Sequence, residues 1–101
     1  MDLGAERLIA AERGTEKIAV EIKSFIGASP ITELYAAIGQ FSYYRVVLQE
    51  KQPERVLFLA VPQDTFHDLF KENFTQKTLV ELNVNIIVYN IGLEKIVLWK
   101  K

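Results

Sequence analysis

Residues 17–25 read KIAVEIKSF, and the way this stretch is taken decides the fold. Side chains alternate along a strand, so Ile18, Val20 and Ile22 share one side while Lys17, Ala19, Glu21 and Lys23 share the other. The apolar set is entirely β-branched and suits a packed sheet face. That leaves the Glu-x-Lys side to be accounted for. The ordinary reading is a solvated polar face with a weak diagonal ion pair, worth only a fraction of a kcal/mol. The sharper reading is a metal-dependent nuclease strand, in which the carboxylate binds Mg²⁺ and the ammonium stabilises negative charge on a phosphate.

Upstream, residues 7–12 (RLIAAE) are a second strand-like run, and Arg13, Gly14 and Thr15 between the two runs predict an antiparallel hairpin. Downstream, Gly27 and Pro30 break the pattern. Ser29 is placed to cap a helix with Pro30 at its first position and Glu33 in its first turn. The helix is expected over 31–50, with Ile31, Leu34, Tyr35, Ile38, Phe41 and Leu48 as one broad buried face. Gln40 and Tyr44, four apart, share a face of it. Pro53 ends the helix, and the continuous apolar run 56–61 (VLFLAV) predicts a strand covered on both sides, hence a parallel or central one. Asp64 is expected to cap a helix whose stripe is Phe66, Leu69 and Phe70, followed by a helical piece over 75–82. Residues 85–89 and 95–99 read as strands joined by a turn around Gly92. The order β-β-α-β-α-β-β predicts an α/β fold, a mixed β-sheet flanked by helices.

The chain has 101 residues, half of them hydrophobic and a quarter charged, which suits one domain with a single core over residues 1–101. A net charge of -1 supplies no global basic field for non-specific binding of nucleic acid. With no cysteine, disulfides and thiolate metal sites are excluded. No apolar run is long enough to cross a membrane, so a cytoplasmic protein is expected, with no membrane partner. A single histidine, His67, excludes a histidine metal cluster and reads as a surface residue on a helix. Ser24, Ser29 and Ser42 have no nucleophile-elbow context, and the five scattered glycines build no phosphate-binding loop. Carboxylates remain as the source of metal ligands. Asp2 precedes the hairpin that carries Glu21 and Lys23, and a hard cation needs only one or two protein carboxylates, with water and substrate phosphate completing its shell.

Asp2, the Glu21-x-Lys23 strand and the helix bearing Gln40 and Tyr44 together resemble the PD-(D/E)XK, or restriction-endonuclease-like, superfamily. The resemblance narrows to one family. DLGAERLIAAERG (2–14), KIAVEIKSF (17–25), GQFSYYR (39–45), PERVLFLAV (53–61), IIVYN (86–90) and KIVLWK (95–100) are similar to XisH, the fdxN element excision controlling factor family of cyanobacteria. The resemblance implies a restriction-endonuclease-like sheet and a role in controlled excision of a DNA element. It further implies DNA, an XisI-type protein and a site-specific recombinase as partners. By the superfamily pattern Asp2 and Glu21 would bind Mg²⁺, Lys23 would orient or stabilise the attacking water and the phosphate, and Gln40 and Tyr44 would position the site or touch DNA. A Mg²⁺-dependent DNA endonuclease is the alternative function. Family members carry a helix and strand ahead of the position of Asp2 that this chain lacks. The expected consequence is an open sheet edge and bare apolar surface, which favours a homodimer.

Overall fold

The computed structural model describes residues 6–25, 29–90, 92 and 95–100. β1 (Glu6–Arg13) and β2 (Glu16–Lys23) pair antiparallel, with Arg13 opposite Glu16. Gly14 takes a φ of 63° at the first position of the two-residue loop, where a side chain would be strained, and this matches the expected hairpin. β3 (Val56–Pro62) runs parallel to β2 on one side and to β4 (Ile86–Asn90) on the other. β5 (Lys95–Lys100) closes the far edge antiparallel to β4, with a bulge at Val88 and Tyr89. The strand order β1-β2-β3-β4-β5 makes β3 the central strand. Its apolar run needed two covered faces, and a central parallel position supplies them.

α1 (Pro30–Lys51) connects β2 to β3, with Ser29 as N-cap accepting from the Thr32 amide and Pro30 at the helix start. Leu34, Ala37 and Phe41 are its buried residues, and Ile38, Tyr44 and Leu48 pack partly against the same core. Ile31 and Tyr35, expected on the buried face, are exposed instead. At 100° per residue Ile31 lies about 90° and Tyr35 about 130° from the line through Leu34, Ala37 and Phe41, so the apolar positions span more of the helix than one buried face covers.

α2 (Gln63–Thr65) starts directly on β3, and its N-cap is Pro62 rather than Asp64, which lies in the first turn. Pro62 makes no side-chain capping hydrogen bond there. The helix then widens into a π turn over Phe66–Phe70 that buries both phenylalanines as a stacked pair, ring centroids 6.0 Å apart. α3 (Asn73–Glu81) begins two residues earlier than the apolar pattern suggested. The Glu72 carboxylate caps it by accepting from the Phe74 and Thr75 amides. At its far end Asn83, at φ 55°, closes a Schellman motif through Val84 N–H to the Leu79 carbonyl and Asn83 N–H to the Val80 carbonyl.

Two cores lie on the two sides of the sheet. The helix side holds Ala19, Leu57, Leu59, Val61, Ile86 and Val88 against α1, the π turn and α3. The other side holds Ile18, Val20, Phe58, Ala60 and Ile87, with Trp99 packed on them and no described helix over them. The sheet curls around this second side: the Arg13 guanidinium, on one edge strand, sits 4.0 Å over the ring of Trp99 on the other edge. Trp99 in turn meets Phe58 edge-on at 5.2 Å. Among the described residues no helix is long and apolar enough to cross a membrane.

Candidate functional site

Glu21 and Lys23 follow Ala19 at two-residue spacing on β2, and Ala19 belongs to the helix-side core. Both charged residues therefore face the α1 layer. They are buried, Glu21 with 1% and Lys23 with 6% of its surface exposed. The ordinary reading of a solvated polar face is thereby corrected. The alternation was read properly, but the Glu-x-Lys side is the one the helices cover. Burying a charge costs several kcal/mol unless it is compensated, so a carboxylate and an ammonium are held here against a strong preference for apolar side chains. About 6.6 Å of strand rise separates them, short enough for the ammonium to act on whatever the carboxylate holds.

The chain leaves β2 under constraint. Pairing with β3 ends at Ile22 opposite Ala60, so Lys23 is the first residue of β2 released from that ladder. Two contacts replace it. The Tyr89 hydroxyl, on β4, donates to the Lys23 carbonyl at 3.4 Å, reaching across the end of β3. Phe25 adopts a left-handed φ of 57°, a conformation costing on the order of 1–3 kcal/mol for a bulky residue. Its buried ring is locked edge-on against Phe70 at 6.0 Å, which holds that turn. Strain of this kind directly after a buried charged pair is a common mark of a site. Neither feature was legible in the sequence. A tyrosine ending a strand and a phenylalanine leaving one carry no local signal for either role.

Gln40 and Tyr44 sit one turn apart on α1. Tyr44 packs against the helix-side core, and Gln40 flanks it, half-buried. The side-chain oxygen of Gln40 is buried without a hydrogen-bond partner among the described residues, as is Nε of Arg45. Buried acceptors are nearly always satisfied, so Gln40 has capacity for a water or ligand donor. Glu21 and Lys23 thus lie on the helix-covered side of the sheet, the side of the core against which Tyr44 packs. Asp2 lies outside the described residues. Among the described residues no three His, Cys, Asp or Glu side chains cluster closely enough to hold a metal. Glu21 alone fits part of the donor set of a hard cation, which takes one or two carboxylates and otherwise water and phosphate. His67 is exposed on the π turn, as expected of a surface residue.

At the carboxyl ends of β3 and β4 the Asn90 amide donates to Gln63 at 2.7 Å, beside a small cleft bounded also by Pro62, Asp64 and Tyr89. Ligands of open α/β sheets gather at these strand ends, and Glu21 and Lys23 lie at the same end of β2. Burial pushes the Tyr89 phenol above its ordinary value of 10.0 and keeps it a neutral donor to the Lys23 carbonyl.

A curled five-stranded mixed sheet with helices on one side, carrying a buried acid and base at the carboxyl end of a parallel strand, defines a mixed α/β protein with a polar site under its longest helix. The chain belongs to the XisH family: the model of that family, described as XisH protein, matches residues 1–97. Two solved structures are similar along nearly the whole chain. An XisH family protein from Nostoc punctiforme PCC 73102 is 46% identical at a TM-score of 0.88, with 93% of this chain and 74% of that chain covered. An fdxN element excision controlling factor protein from Anabaena variabilis is 44% identical, with the same TM-score and coverage. Comparison with curated proteins gave no match.

Proposed function

We propose that this chain is a controlling factor for excision of an fdxN-type DNA element, acting on or near DNA with a site-specific recombinase and an XisI-type protein. The observation that carries this reading is the 44% identity, at a TM-score of 0.88, to a protein that is itself called an fdxN element excision controlling factor. A net charge of -1 favours recruitment through protein partners over a broad phosphate-binding surface. The test is excision itself. In cells whose chromosome carries the element, deleting the gene for this chain should abolish the joined product, and restoring the chain should bring it back. An unchanged excision frequency would overturn the reading, and failure to recover an XisI-type protein on the tagged chain would remove that partner.

A second reading, a Mg²⁺-dependent DNA endonuclease on a restriction-endonuclease-like topology, is favoured by one observation: Glu21 and Lys23 are buried side by side on the helix-covered face. Glu21, with Asp2, would hold the ion, and a bound Mg²⁺ would supply a polarised phosphate and a more acidic water. Lys23 would place positive charge on the phosphate, and Gln40 and Tyr44 would orient the groups around it. Calorimetric titration of Mg²⁺ or Mn²⁺ should show saturable binding that Glu21→Ala abolishes. Equal heats in both proteins would remove the metal from the account, whatever the outcome of a cleavage assay.

A further inference from the structure

The outer side of α1 carries an apolar stripe left largely exposed among the described residues, its one ring contact being Tyr43 edge-on to Tyr44 at 6.2 Å. Ile31, Tyr35, Tyr43 and Val46 are 43%, 67%, 68% and 56% exposed. Tyr35, Tyr43 and Val46 lie along one line of the helix, opposite the buried Leu34, Ala37 and Phe41, with Ile31 on its flank. At the middle of that line is Gly39, where an added Cβ would meet nothing within 4 Å. Packing inside the chain therefore does not demand a glycine there. In an exposed helix interior a glycine is destabilising relative to alanine, so both the glycine and its aromatic neighbours call for an external reason.

We infer that this stripe is a self-docking surface, through which two copies of the chain pair as antiparallel α1 helices crossing at Gly39. The pattern is symmetric about that residue: Tyr35 precedes it by four positions and Tyr43 follows it by four, with Thr32 and Val46 each seven away. An isologous two-fold interface requires such self-complementarity, because each residue must meet its counterpart's environment. In the pair the glycines face each other and admit an interaxial distance of about 8–10 Å, and the tyrosines of each copy close over the glycine of the other. The stripe is long enough for this. Residues 31–46 span about 22 Å at the rise of an α-helix.

Chemistry and area both select this occupant. The exposed positions 31, 32, 35, 36, 39, 43 and 46 carry no charge, so a phosphate backbone or an acidic partner finds no cation along the stripe. Aromatic side chains bury about 150–250 Å² each, so two of them two-thirds exposed on each copy supply about 400–700 Å², and Ile31 and Val46 of both copies bring the total towards about 1,000 Å². That is the lower limit of a specific interface and fits a weak, reversible dimer. The inference does not rest on the excision reading, since it concerns only α1 and its own image.

The chain has no cysteine, which makes the decisive test clean. Gly39→Cys places two thiols across the two-fold axis, within the Cα separation of about 4.4–6.8 Å that a disulfide spans. Mild oxidation of the full chain should convert most of that variant to a covalent dimer, while Glu81→Cys, exposed on α3, should stay monomeric. By sedimentation equilibrium between 1 and about 200 μM, the wild type should pass from monomer to dimer. Gly39→Arg should abolish dimerisation at least tenfold in affinity while raising the melting temperature of the monomer, because the site has open space and loses a helix-weakening glycine. A wild type that is monomeric throughout would overturn the inference and leave the stripe to a different protein. So would a dimer that Gly39→Arg leaves intact, or growth beyond a dimer with concentration.

Discussion

The two sides of β2 invite comparison because one strand built both. On the helix side it presents Ala19, Glu21 and Lys23, and the two charges are buried. On the other side it presents Ile18, Val20 and Ile22, the more apolar set, to a trough of about 370 Å³ that Trp99 and Tyr89 also line and no described helix covers. Ile18 and Val20 are as buried as Lys23, so the two sides differ in what burial costs rather than in its depth. Apolar packing fills one face of β2, and the other takes up buried charges. The trough side keeps the hydrophobic contacts that hold β2 to β3 and β4, and the helix side hosts charges whose retention stability alone does not favour.

Four measurements test this contrast. Phe41→Ala, at a fully buried position on the helix side, is expected to cost about 3–5 kcal/mol in urea unfolding, against less than half of that for Ile22→Ala in the trough. Equal losses would mean that the trough is as tightly covered as the helix side. Replacing the charges together, Glu21→Leu with Lys23→Met, should stabilise the fold by about 1–4 kcal/mol while abolishing any saturable binding of Mg²⁺. A net destabilisation would instead make the pair a structural element.

Tyr89→Phe should cost about 0.5–1.5 kcal/mol at neutral pH by removing the hydroxyl that holds the Lys23 carbonyl. It also carries a pH signature. Because burial raises the phenol above 10.0, the folded chain favours its neutral form, a contribution fully present below that pH and lost as pH rises through the raised value. The wild type should therefore lose stability more steeply above pH 10 than Tyr89→Phe does, and parallel curves would place the hydroxyl in water. The smallest effect is expected of Arg13→Ala. Its contact with Trp99, which marks the curl of the sheet, contributes roughly 0.5–1 kcal/mol at an exposed position. No change in stability would mean that the curl is set by strand twist alone.

Much of the fold was legible because local chemistry and tertiary placement agree. Gly14 between two strand-like runs made a hairpin, and the uninterrupted VLFLAV run became the central strand of the sheet. Ser29 and Pro30 began α1 as expected. The site was half legible. The alternation in KIAVEIKSF put Glu21 and Lys23 on one side, and Gln40 with Tyr44 on one face of α1. Which sides are buried was not, since that depends on what packs against them. The same ambiguity put Ile31 and Tyr35 on the wrong side of α1. An apolar residue at helical spacing faces either a core or a partner, and periodicity does not distinguish the two.

By itself, then, the sequence determined which residues are neighbours along each element, because strand and helix periods are properties of the backbone. It also determined the family, through stretches distributed along the whole chain. Packing in three dimensions was needed to show that the charged side of β2 is buried, that Tyr89 reaches Lys23 across the end of β3, and that Phe25 turns under strain against Phe70. The physical reason is common to all three. Burial, hydrogen bonding across strands and locked strain depend on groups distant in the chain, and their energies exist only once the sheet has curled and the helices have closed over it.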